Sequence, residues 1–241
     1  MARELKIVML VDGSATLRYY YGILLKRLAF NVMVAASAEE ALEIIKDAAP
    51  SLVLIDSVLL QTGGPDFITR MKSRIPSDPV PVIVLADHGD TAKRKAFLGM
   101  GCADFLVKQG EPGRLYRSIE AALEPKPREH IRLNMPLKIT LGDGTSKGGA
   151  ERTEYVTTIS EGGLYVRTLY PRPKNASTPV KLFLKHHTIR ATTSVLYSQP
   201  LKGGVFCEPG MGMKFVEISQ EDRAFMRRFI KEQLTSDLVI G

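Results

Sequence analysis

The chain has 241 residues, room for two ordinary domains, and its 44% hydrophobic and 24% charged residues exclude a disordered chain. No run approaches the roughly 18 apolar residues that would cross a bilayer. The net charge of +7 is uneven: up to Glu124, 15 Lys+Arg face 15 Asp+Glu, whereas from Pro125 onward 18 face 11, which suits an anionic partner for the second half.

In chain order, the first half alternates apolar runs with helix-period segments. Lys6–Val11 reads as a strand, Ser14–Leu28 as a helix, and Val32–Ala35 as a second strand. Ser37, with Glu40 three residues on, forms a capping box for the next helix. Ser51–Ile55, Val80–Leu85 and Ala103–Val107 supply three more strands, with helices at Asp66–Ser73, Ala92–Met100 and Pro112–Leu123. Continuous apolar strands separated by helices imply a parallel sheet covered on both faces, hence a doubly wound (βα)5 domain with its site at the carboxyl strand ends. The segment Glu124-Pro125-Lys126-Pro127-Arg128 then reads as a linker. Beyond it, period-2 segments at Pro136–Leu141, Glu154–Ile159, Leu164–Thr168, Val180–Leu184, Ile189–Tyr197 and Met211–Val216 predict an antiparallel barrel or sandwich. A helix capped by Ser219 and running to about Leu234 closes it. The expected division is 1–123, a linker over 124–132, and 133–241.

Asp12, Asp56 and Lys108 end the first, third and fifth strands, so a parallel sheet brings them to one edge. Two carboxylates beside an amine make a hard-oxygen pocket suited to a cation or a phosphoryl group. Leu10-Val11-Asp12-Gly13-Ser14, Val53-Leu54-Ile55-Asp56, Pro81–Leu85 and Gly101–Lys108 resemble the receiver domains of response regulators over residues 5 to about 123. The resemblance implies a flavodoxin-like fold, Asp56 as phosphoacceptor, Asp12 on Mg2+, and Lys108 on the phosphoryl. Four positions depart from the family. Gly13 replaces the second acid, Ala86 the Ser/Thr, Asp87 a small residue, and Gln109 the proline that favours a cis bond. A degenerate receiver is expected, kept for dimerisation or docking, with a weak or absent Mg2+ site at Asp12 and Asp56.

In the second half, Arg128 and Arg132 stand four apart directly after the prolines. Thr158-Ile159-Ser160-Glu161-Gly162-Gly163 follows 26 positions after Arg132, and Gly210–Phe215 precedes the last helix. Together these resemble the PilZ family, whose signature is R-x-x-x-R followed by [D/N]-x-S-x-x-G. The resemblance implies a β-barrel with a C-terminal helix that binds cyclic di-GMP. The expected ligand residues are Arg128, Arg132, Thr158, Ser160, Gly162 and Gly163. Arginine can fork onto phosphate or a guanine edge and stack on the purine face. Ser160 supplies a hydroxyl, and the glycines permit close backbone approach. Thr158 departs from the pattern, since a threonine hydroxyl accepts more weakly than Asp or Asn.

Other features are plain. Met211 and Met213 read as core or barrel wall, and His186-His187 as a turn without metal partners. At least one of Tyr19-Tyr20-Tyr21 is expected at the surface, and Lys93-Arg94-Lys95 as a solvated helix face. Cys102 and Cys207 are expected as buried hydrophobes in a reducing, cytoplasmic setting. The start of the chain has no apolar signal stretch. Without a nucleophile and base, a P-loop or zinc spacing, no enzyme is expected. The leading expectation is a cyclic di-GMP effector that relays to a protein partner and can form a homodimer. The alternative is a regulator driven by phosphorylation of Asp56, with the barrel as a nucleotide-free platform. DNA binding is not expected, since no helix-turn-helix or aromatic row accompanies the charge.

Overall fold

The computed structural model describes residues 6–62, 66–74, 80–200 and 208–238. It divides into two compact units, one up to Glu129 and one from His130 to Ser236.

In the first unit, strands β1 (Ile7–Val11), β2 (Asn31–Ala35), β3 (Leu52–Asp56), β4 (Val82–Ala86) and β5 (Asp104–Val107) pair in parallel in the order β2-β1-β3-β4-β5. β1, β3 and β4 are almost wholly buried, as continuous Val, Ile and Leu require when helices cover both faces. On one face, Met9, Val11, Val53, Ile55 and Val84 pack with Ala41, Leu42 and Ile45 of α2 (Ala38–Asp47) and with Phe67 and Met71 of α4 (Asp66–Arg74). α1 (Ala15–Arg27) packs against β1 and β2, and α6 (Pro112–Leu123) against β3. β2 and β5 are the edge strands, and Val34 of β2 is exposed.

Three details differ from the sequence reading. A short helix, α3 (Ser57–Thr62), follows β3 directly, in a stretch to which the sequence reading assigns no element. The segment expected as one helix over Ala92–Met100 begins as a 3-10 turn, His88–Lys93, before α5 (Arg94–Gly99). His187 is not in a turn: it opens a strand, and its Nε2 lies 2.6 Å from Asp222 Oδ1 with the ring against Phe225. Elsewhere Ser37 and Ser219 cap their helices as read, accepting from Glu40 N and Asp222 N. Tyr19 is exposed whereas Tyr20 and Tyr21 are buried, and Lys93, Arg94 and Lys95 are solvated. Cys102 is buried, and Cys207 lies outside the described residues.

In the second unit, β6 (Leu133–Leu141), β7 (Arg152–Ser160), β8 (Gly163–Arg167), β9 (Ser177–Leu184), β10 (His187–Gln199) and β11 (Gly210–Ile218) close into a barrel in the order β10-β11-β8-β7-β6-β9. Alternate residues such as Leu133, Ile139, Val156, Ile159, Val180, Leu182 and Met213 fill its interior. Met211 is buried with Met213, as the alternation implies. α7 (Gln220–Thr235) lies on β6 and β7 and buries Met226, Phe229, Ile230 and Leu234.

Candidate functional site

The strand ends of the first unit gather the three residues singled out by sequence. Lys108 Nζ stands 2.9 Å from Asp56 Oδ1 and 3.6 Å from Asp12 Oδ2, all three largely buried. Asp12 Oδ1 accepts from Ser14 N at 2.8 Å, and Asp56 Oδ1 from Val58 N at 3.2 Å, so each carboxylate also closes its own turn. Asp12 Oδ2 is buried without a hydrogen-bond partner. Burial holds the Asp12 carboxyl above its ordinary range, against the opposing pull of the Ser14 amide and Lys108. Burial alone would lower Lys108, but its bond to Asp56 and the carboxylates around it raise it.

The four departures from the receiver pattern each have a structural counterpart. The carbonyls of Asp12 and Gly13 both accept from Arg18 Nη1, at 2.6 and 3.0 Å, so a guanidinium crowns the turn that lacks its second acid. Ala86 leaves β4 without a hydroxyl beside the pocket. Asp87 Oδ1 comes within 4.0 Å of Lys108 Nζ from the exposed side. Gln109 takes a positive φ of 58°, and its N–H donates to Tyr21 Oη at 2.8 Å. Burial pushes that phenol up to about 12, so Tyr21 stays protonated.

Mg2+ needs near-octahedral oxygen coordination at about 2.0–2.1 Å. These residues do not fit it. Gly13 offers no carboxylate, Arg18 occupies the adjacent carbonyls, and the Lys108 ammonium sits within reach of both remaining acids. Among the described residues no group of three His, Cys, Asp or Glu is disposed to hold a metal ion.

In the barrel, Thr158 and Ser160 stand on the last turn of β7, and Gly163 opens β8 opposite Ser160. Thr158 is buried, whereas Ser160 is half-buried and donates from Oγ to Gly163 O at 3.1 Å. A Cβ on Gly163 would come 2.1 Å from Met213 O, so β8 and β11 meet where only glycine fits. The His130 ring lies against Gly162, where an added Cβ would stand 2.8 Å from it. α7 clamps the same turn: Arg223 Nη1 donates to Glu161 O at 3.0 Å, and Arg227 pairs with the Glu161 carboxylate at 2.8 Å. Arg132 is half-buried just before β6.

Arg128 falls in the first unit, where its Nη1 donates to Glu120 Oε1 of α6 at 2.5 Å. The two arginines of the motif therefore belong to different compact units. Sequence reasoning missed Arg18, Glu120, Arg223 and Arg227. Only Glu120 carried a usable signal, as a charge on the apolar face of its helix with Leu115, Tyr116 and Ile119.

The sequence matches two families. The response regulator receiver domain covers residues 8–120 and the PilZ domain residues 126–232. The phosphate regulon transcriptional regulatory protein PhoB of Pseudomonas aeruginosa is 26% identical over 118 residues, 49% of this chain and 52% of its own length. The transcriptional regulatory protein FixJ of Bradyrhizobium diazoefficiens is 27% identical over 116 residues, 48% of this chain and 56% of its own. The chain thus spans about half the length of the curated relatives it matches. The receiver domain of NtrX from Brucella abortus, a solved structure 28% identical, covers 49% of this chain and 99% of its own, with a TM-score of 0.44. No helix among the described residues is long and apolar enough to cross a membrane. With a five-stranded parallel sheet and a closed six-stranded barrel behind these matches, the chain is a signalling protein in which a response regulator receiver domain is followed by a PilZ domain, a cyclic di-GMP effector family.

Proposed function

We propose that the chain is a non-enzymatic effector that binds cyclic di-GMP through Arg128, Arg132, Thr158, Ser160, Gly162 and Gly163. It relays that state to a protein partner, and the receiver serves as a docking or dimerising surface. The observation that carries this reading is the turn from Ser160 to Gly163. It is pinned by α7 and by the close approach of β11, and it follows the arginine pair at the motif spacing. Such a rigid turn presents hydroxyl and backbone groups to a ligand without an ordering cost at binding. Guanidinium groups supply the counter-charge for two phosphodiesters. A hydrogen bond to a charged group contributes roughly 1.5–3 kcal/mol against about 1 for a neutral one, so Thr158 places binding about tenfold below a site with Asp, in the micromolar range.

Calorimetric titration with cyclic di-GMP tests this. Wild type gives saturable heat, and Arg132→Ala weakens binding roughly 10- to 100-fold, the equivalent of a lost charge-assisted bond. No heat at high micromolar ligand overturns the reading.

A second reading is favoured by the 2.9 Å contact between Lys108 and Asp56. In it Asp56 accepts a phosphoryl group, and the barrel is a nucleotide-free interaction platform. Incubation with acetyl phosphate and Mg2+, followed by intact mass and peptide mapping, separates the two. Stoichiometric modification at Asp56 supports this second reading; an unmodified chain removes it.

A further inference from the structure

Glu120 is 2% exposed and lies on the packed face of α6, beside Leu115, Tyr116 and Ile119. One of its oxygens is held by Arg128, and the other, Oε2, is buried with no hydrogen-bond partner. A carboxylate in that position depends on its counter-ion, because a buried charge that loses its partner is strongly unfavourable. Arg128 is that counter-ion, and it is also the first arginine of the ligand motif. We propose that Glu120 sets the affinity for cyclic di-GMP by competing with the ligand for Arg128. This rests on the nucleotide reading above. Arg128 Nη1 is already committed, so the Nη1–Nη2 fork is not open to a phosphate or guanine while the ion pair stands. Taking it for the ligand strands Glu120. Because Arg128 is 38% exposed, water screens part of the effect. Glu120 touches no ligand in this account; it acts through Arg128.

Titration of the full chain as wild type, Glu120→Gln and Glu120→Leu tests this. Gln keeps the shape without the charge, and Leu suits an apolar helix face if Gln folds poorly. Both should bind cyclic di-GMP about tenfold more tightly. Trypsin should cut after Arg128 several-fold faster in both, a readout that depends on the freedom of that side chain and not on the ligand. Equal affinity in all three proteins overturns the competition and leaves the nucleotide reading standing. Absence of binding in all three overturns both.

A different observation concerns the weak position of the motif. Asn134 of β6 lies directly opposite Thr158 of β7, one step from the Leu133–Ile159 pair that faces the barrel interior. Directly paired residues share a face and stand about 4.5–5.5 Å apart at Cβ, so Asn134 and Thr158 lie on the face away from the barrel interior, where Thr158 is covered and Asn134 is exposed. Asn134 is exposed, and its side-chain amide makes no hydrogen bond among the described residues. We infer that Asn134 supplies, from the neighbouring strand, the amide carbonyl that the motif lacks at Thr158, accepting from a guanine N–H. This too rests on the nucleotide reading. Asn134→Ala should weaken cyclic di-GMP binding about tenfold, and adding Thr158→Asn to that variant should restore it to within about twofold. Unchanged binding by Asn134→Ala, or loss without rescue, overturns the assignment. If wild type itself fails to bind, the nucleotide reading falls first.

Discussion

The receiver and the barrel both gather charged or polar groups at the ends of strands, but they use them in opposite ways. In the receiver, Asp12, Asp56 and Lys108 face one another at 2.9 and 3.6 Å, and Arg18 and Asp87 close over the rim. The charges are consumed internally. In the barrel, the turn after β7 is held by backbone fit, by Arg223 and Arg227 on Glu161, and by the Ser160 hydroxyl on Gly163 O, so no buried charge cluster is needed to set its shape. A site whose charges are paired with one another has little left for a ligand; a turn fixed by main-chain fit keeps its shape for one. That contrast is why the dinucleotide, rather than a phosphoryl group, is the favoured input.

The largest test of the contrast falls on the barrel. Gly163→Ala would set a methyl 2.1 Å from Met213 O, which the backbone can relieve only by parting β8 from β11. Overpacking of this kind costs about 1–3 kcal/mol, and here the upper end is expected because the clash is with main chain. Urea unfolding followed through the barrel should register it, with cyclic di-GMP binding lost in parallel. Unchanged stability would mean that the turn is not sterically held.

A smaller effect is expected at Arg128, which the ligand motif names but which packs within the receiver unit. Arg128→Ala strands Glu120 and should destabilise the receiver unit by about 1–2 kcal/mol, below the roughly 3–5 typical of a fully buried pair because Arg128 is partly exposed. Combining it with Glu120→Gln should recover most of that loss in a double-mutant cycle. Additive effects would show that the pair is not coupled, and the first arginine would then belong to the barrel motif alone.

The sequence made the convergence of Asp12, Asp56 and Lys108 legible, because a parallel sheet fixes which strand ends meet whatever the loops do. The barrel was legible from alternation, and its capped last helix from Ser219 and Asp222. What could not be read was tertiary pairing between distant side chains. Arg128 looked like a free ligand residue because nothing local indicates that a helix charge eight residues earlier would be buried against it. His187 looked like a turn residue because its partner, Asp222, lies 35 residues on. α3 escaped notice because Ser57–Thr62 follows β3 without a separating turn signal. Pairings between β10 and β11 include register shifts at Thr192/Thr193 and Val195/Tyr197, and periodicity alone does not reveal a bulge.

The smallest effect concerns the receiver pocket, and its sign separates a working charge site from a relic. Burial raises the Asp12 carboxyl above its ordinary value. In the unfolded chain Asp12 ionises at lower pH than in the folded one, so at neutral pH its buried charge subtracts from stability. That subtraction fades as pH falls through the raised folded value, where the folded chain takes up its proton. Asp12→Asn keeps an acceptor for Ser14 N and leaves Lys108 paired with Asp56 at 2.9 Å. It should therefore raise the unfolding midpoint at pH 7 by on the order of a few °C, with the gain shrinking on acidification. Thermal unfolding of both proteins between neutral and acid pH measures it. A midpoint that falls instead would mean that the Asp12–Lys108 attraction outweighs burial. The receiver pocket would then be a stabilising ion-pair network, and the contrast with the barrel would have to be drawn from the loss of Gly13, Ala86 and Gln109 chemistry alone.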